Sequence, residues 1–178
     1  LVDRLGERTV WIVLADDDRI STRLRSPERR VVTVRTGATF SRASQDEFIL
    51  DPARADHFAW ILDSVPAIGI VHAGSLGNDD LERGPYSLHA LLQALMARTE
   101  RPRVWVVTGS SPFHAATAAL SRALFDENPG IAGRCVEWNG TDDLLPDLSC
   151  TDGAFVALRG GRLRKCVRAL ERDIPRAE

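Results

Sequence analysis

Three places in this 178-residue chain carry side chains whose types and spacing suit chemistry. Asp16, Asp17 and Asp18 directly follow the apolar run Trp11-Ile12-Val13-Leu14-Ala15. Grouped carboxylates are hard oxygen ligands of the kind that hold Mg²⁺. Ala73-Gly74-Ser75-Leu76-Gly77 fits the relaxed A-x-S-x-G form of a nucleophile turn, with His72 and His114 as candidate bases. Thr108-Gly109-Ser110-Ser111-Pro112 joins a strand-like run to an alanine-rich one, where free helix N–H groups can cradle an anion.

Each of these has a simpler structural reading. A receiver domain also begins with an acidic pair, but it needs a phospho-accepting aspartate ending its third strand, and here that run ends Val71-His72-Ala73. It needs a lysine after its fifth strand too, whereas Lys165, the only lysine, lies beyond a late hairpin. The aspartates are therefore read as a solvated turn, one of them capping a short helix at Arg19. A nucleophile turn requires a helix starting at the serine, but Asn78, Asp79, Asp80 and Gly84-Pro85 predict a loop, and no acid is placed to orient either histidine. Ser75 is thus expected to be a loop serine and His72 a hydrogen-bonded core residue. A serine capping its own helix accounts for the third site. His57, His72, His89 and His114 show no metal-ligand spacing.

Reductases that pair tyrosine with lysine as Tyr-x-x-x-Lys are excluded for this chain alone. Its only tyrosine is Tyr86, and the position four further on is Ala90. No residue is expected to be catalytic, cofactor-binding or metal-ligating. The alternatives are a small-molecule or catalytic site in the loops Ala73 to Asp80 and Gly109 to His114, or a Mg²⁺-binding pseudo-receiver at Asp16 to Asp18.

The elements that must position these residues follow from the apolar pattern. Short β-rich runs alternate with helical ones, predicting an α/β fold: a truncated Rossmann-like, mainly parallel sheet flanked by helices. Strands are expected over Thr9 to Ala15, Arg30 to Arg35, Gly69 to Ala73, Arg103 to Thr108 and Arg134 to Trp138, with a short one at Glu47 to Leu50. Gly153 to Leu158 and Leu163 to Ala169 flank Gly160-Gly161 and predict a C-terminal β-hairpin. Helices are expected at Arg19 to Arg25, at Pro52 to Val65 with Asp51 as cap, and at Pro85 to Arg98. Two more are expected at Pro112 to Asn128 and Asp142 to Leu148. Leu88, Leu91, Leu92 and Leu95 form one apolar face, and Ala115, Ala116, Ala118, Ala119 and Ala123 would let the fourth helix approach the sheet closely. After the first strand a dinucleotide site would need glycines. Three aspartates stand there instead, and they repel phosphate.

One domain is expected over residues 1–171, with a polar tail over 172–178. The formal net charge of −2 gives no support for nucleic-acid binding. Cys135, Cys150 and Cys166 are widely spaced, as in a reduced, cytoplasmic protein. No run reaches the length of a membrane span. Because the chain opens on Leu1, it is expected to be part of something larger.

The order of segments carries a resemblance. Trp11-Ile12-Val13-Leu14-Ala15-Asp16 is followed by Val31-Val32-Thr33-Val34-Arg35-Thr36-Gly37-Ala38-Thr39-Phe40, Leu50-Asp51-Pro52, Ile70-Val71-His72 and Ser75-Leu76. Then come Ser87-Leu88-His89-Ala90-Leu91-Leu92-Gln93-Ala94-Leu95, Val104-Trp105-Val106-Val107-Thr108-Gly109, Glu127-Asn128-Pro129 and Val156-Ala157-Leu158-Arg159-Gly160-Gly161-Arg162. Together they resemble the structural, non-catalytic N-terminal subdomain of a polyketide synthase ketoreductase, or a pseudo-ketoreductase of such a synthase. The resemblance implies no cofactor on this chain, with NADPH held by a separate catalytic subdomain. It implies adjacent synthase domains as partners: that ketoreductase catalytic subdomain, a dehydratase and an acyl carrier protein. It also implies a bracing role, with neither nucleic acid nor membrane as partner.

Overall fold

Alternation within the apolar runs decides the layers. The computed structural model describes residues 9–77, 79–138, 140, 155–159 and 162–165. In chain order the strands are β1 (Thr9–Leu14), β2 (Arg29–Thr36), β3 (Ser41–Ser44), β4 (Glu47–Leu50), β5 (Gly69–His72), β6 (Arg103–Thr108), β7 (Gly133–Glu137), β8 (Phe155–Arg159) and β9 (Arg162–Lys165). The helices are α1 (Arg19–Leu24), α2 (Ala55–Ser64), α3 (Ser87–Met96) and α4 (Pro112–Glu127), and a single wide π turn, Glu82–Tyr86, leads into α3. The described strands form one sheet in the order β3-β4-β2-β1-β5-β6-β7-β8-β9. Strands from β4 to β8 in that order run parallel, while β3 and β9 pair antiparallel at the two edges. The expected mainly parallel α/β sheet is therefore present. So is the antiparallel pairing expected of the hairpin, with Arg159 opposite Arg162.

Period-two alternation sends Ile12, Leu14, Val104 and Val106 to one face, where they meet Phe58, Ile61, Leu88, Leu91, Leu92 and Leu95 of α2 and α3. The opposite residues, Trp11, Val13, Trp105 and Val107, meet Ile20 and Leu24 of α1. On that side the Trp11 and Trp105 rings lie 4.9 Å apart between centroids, an aromatic contact that adds to their area burial. The chain builds outward from β1 through β2 to β4, then returns through α2 to β5 and builds the other way. β1 and β5 therefore flank the topological switch point, where open α/β sheets leave a ligand crevice at the carboxyl edge.

Four expectations need correction. Asp51 does not cap α2: its Oδ1 accepts the Ala53 amide at 3.0 Å and its carbonyl the Arg54 amide at 3.2 Å. That turn delays the helix to Ala55. The third helix does not start at Pro85. Proline has no N–H to give the α-ladder, and a wider turn, with the Tyr86 amide on the Leu81 carbonyl at 3.1 Å, carries the chain into α3. Ala115, Ala116, Ala119 and Ala123 face outward; α4 instead buries His114, Thr117, Ala118, Ser121 and Phe125, its three-to-four spaced stripe. Finally, β3 adds an edge strand that no apolar alternation announces, since all four of its residues are exposed. The helix expected at Asp142 to Leu148 and the tail over 172–178 lie outside the described residues, as do Cys150 and Cys166.

Candidate functional site

The ends of β1 and β5 lie side by side, with Leu14 opposite His72. Side chains of β2 and of the π turn reach into the space between their loops. Asp16 Oδ1 accepts the Thr36 hydroxyl at 2.8 Å and the Thr36 amide at 3.3 Å. Its other oxygen is ion-paired with Arg83, which reaches across from the π turn. The Arg83 carbonyl oxygen in turn presses against the Cα of Gly74, the residue two past β5. Asp17 holds the Arg19 guanidinium at 2.7 Å and accepts the Arg19 amide at 2.9 Å. That side-chain bond holds the Asp17 carboxyl below its ordinary value. Asp18 pairs with Arg35 at 2.9 Å, and Arg35 also reaches the Asp16 carbonyl and Glu47, each at 2.7 Å. The Glu47 bond comes first in raising the Arg35 pKa.

Three aspartates thus meet three arginines, and the turn expected to be merely solvated is an ion-paired clamp. The helix-capping aspartate is Asp17. Asp18 stands at the cap position but makes no side-chain cap bond. At this end of β1 a pyrophosphate would face carboxylates whose cations are already engaged, and the approach beside β5 is occupied by the Arg83 backbone. No three His, Cys, Asp or Glu side chains among the described residues are grouped to hold a metal ion.

Ser75 is a loop serine. Its hydroxyl is buried without a hydrogen-bond partner, and His114 Nε2 donates 2.6 Å to the Ser75 carbonyl, not to the hydroxyl. The carbonyl can only accept, so it fixes the His114 tautomer. Among the described residues no base is bonded to the Ser75 hydroxyl. At the third site Ser111 caps α4, accepting the His114 amide at 3.4 Å, and its hydroxyl donates to Asp79 Oδ1 at 3.1 Å. Beside it runs an open cleft of about 350 Å³ lined by residues such as Gly109, Ser110, Ala115 and Arg122. Cys135 is buried, and burial pushes its thiol pKa up, away from the reactive thiolate.

His72 is fully buried and bonded through Nε2 to Ser87 Oγ at 3.0 Å, as expected of a core histidine. Desolvation lowers its pKa from 6.5 to about 4. The folded pKa lies below the unfolded one, so above pH 6.5 His72 is neutral in both states. Between pH 6.5 and 4 only the unfolded chain takes up the proton, and stability falls with pH. Denaturant melts at pH 7 and pH 5.5 are expected to differ by about 1 kcal/mol from this group, and His72→Gln should remove that increment.

Sequence reading missed the parts played by Arg35 and Arg83 and, at Gly74, saw a nucleophile motif where the structure has a close backbone approach. Nothing local marks them: Arg83 and Asp16 are 67 positions apart.

Comparison with known proteins now places the chain. Residues 9–149 match the family model described as β-ketoacyl synthase-like, N-terminal. The chain belongs to the β-ketoacyl synthase-like, N-terminal family. No curated protein sequence matches it. Among solved structures it is similar to an adenylation, ketoreductase and pseudo-Asub multidomain structure of a keto acid-selecting NRPS module, at TM-score 0.74 and 18% identity over 90% of this chain and 17% of that one. It is also similar to an N-terminal ketoreductase from the macrolactin assembly line, at TM-score 0.64 and 15% identity over 86% of this chain and 38% of that one. A putative NAD-dependent epimerase/dehydratase from Methylobacillus flagellatus matches at TM-score 0.51 and 14% identity, over 75% of this chain and 54% of that one. At these identities the likeness establishes the Rossmann-like fold. This family member spans well under half the length of either ketoreductase-bearing chain, the kind of protein to which its segment order pointed.

Proposed function

We propose that this chain is a non-catalytic structural subdomain of a polyketide synthase. It braces the catalytic half of an NADPH-dependent β-ketoacyl-ACP ketoreductase, or neighbouring domains such as a dehydratase or acyl carrier protein. It binds no dinucleotide itself. The observation that carries this reading is the closed switch point: Asp16, Arg83 and Gly74 occupy the place where a Rossmann-like sheet would receive its cofactor. A sheet whose crevice is filled by its own ion pairs offers rigidity and surface in place of a reactive site. The family membership and the likeness to segments of multidomain assembly-line proteins support the same role.

The test is to produce the ketoreductase catalytic half of the same synthase with and without this chain. A brace binds the folded partner only, so at a hundredfold excess over Kd it adds about 2.7 kcal/mol, a rise of roughly 5–10 °C in the partner's Tm. Ser75→Ala and Ser111→Ala in this chain should leave the partner's kcat unchanged. Reduction of a β-ketoacyl thioester by this chain alone, or no effect on the partner, would overturn the reading.

A further inference from the structure

We draw no further inference here: the strongest candidate, the open cleft beside the first turns of α4 lined by Gly109, Ser110, His114 and Arg122, rests on a helix N-terminus alone, because His114 already donates to the Ser75 carbonyl and nothing else among the described residues of the cleft points to a ligand.

Discussion

Gly74→Ala is expected to lower the stability of the domain by about 3–4 kcal/mol, a fall of roughly 10 °C in Tm. The methyl group would enter the contact between the Gly74 Cα and the Arg83 carbonyl oxygen, with the His72 ring carbon Cε1 only 3.7 Å away on another side. The oxygen is backbone and cannot swing aside. Relief would require moving the π turn, which carries Arg83 off Asp16 and Gly84 off Thr117. Gly77→Ala is the control. Gly77 has a positive φ of 76° but only the Arg19 Nη2 atom nearby, at 4.0 Å. Its loss should amount to about 1 kcal/mol, the ordinary cost of a left-handed non-glycine residue. Thermal melts of the two variants decide the point. If Gly77→Ala is as damaging as Gly74→Ala, close backbone approach is not what closes the crevice.

Asp16→Ala is expected to cost about 2 kcal/mol, because one carboxylate serves the Thr36 hydroxyl, the Thr36 amide and Arg83 together. The ion pair alone contributes less than its geometry suggests: the Asp16 and Arg83 side chains are 28% and 35% exposed, and water screens them. A double-mutant cycle with Arg83→Ala should therefore give a coupling of only about 1 kcal/mol, declining as salt rises. Asp16→Asn keeps an acceptor for Thr36 and should lose about half as much as alanine. Urea titrations of the four-member cycle measure these terms. A coupling near zero, with Asp16→Ala neutral, would mean that the clamp does not hold the loops.

Much of the fold is legible in the chain because burial imposes its period. The runs around Ile12, Val32, Ile70, Val104 and Val136 each sit in a two-sided parallel sheet and read as strands without help. The antiparallel pairing of β8 and β9, the leucine face of α3 and the core role of His72 follow from equally local rules. What escaped is non-local or polar. β3 is Ser-Arg-Ala-Ser with every residue exposed, so it has no apolar alternation to show; it exists because β4 offers a partner edge. The alanines of α4 suggested a close-packed face, but the sheet side of that helix is chosen by Phe125, whose ring sits against Gly133. The candidate site was legible only in its first half. Asp16, Asp17 and Asp18 announce that no phosphate loop is present. Arg83, Arg35 and Gly74, which convert that absence into a filled crevice, meet them only once the sheet has formed.

With its switch point spanned by Asp16, Arg83 and Gly74, the domain is proposed to act by its shape. Titrating the isolated chain with NADPH while following backbone amide resonances tests it most directly. No saturable shift is expected at Asp16 to Ile20, Ala73 to Gly77 or Gly109 to Ala115, and NADPH should leave the Tm unmoved, since a ligand of the native state at ten times its Kd would add about 1.4 kcal/mol. Saturable shifts at the ends of β1 and β5, accompanied by a rise in Tm, would contradict it.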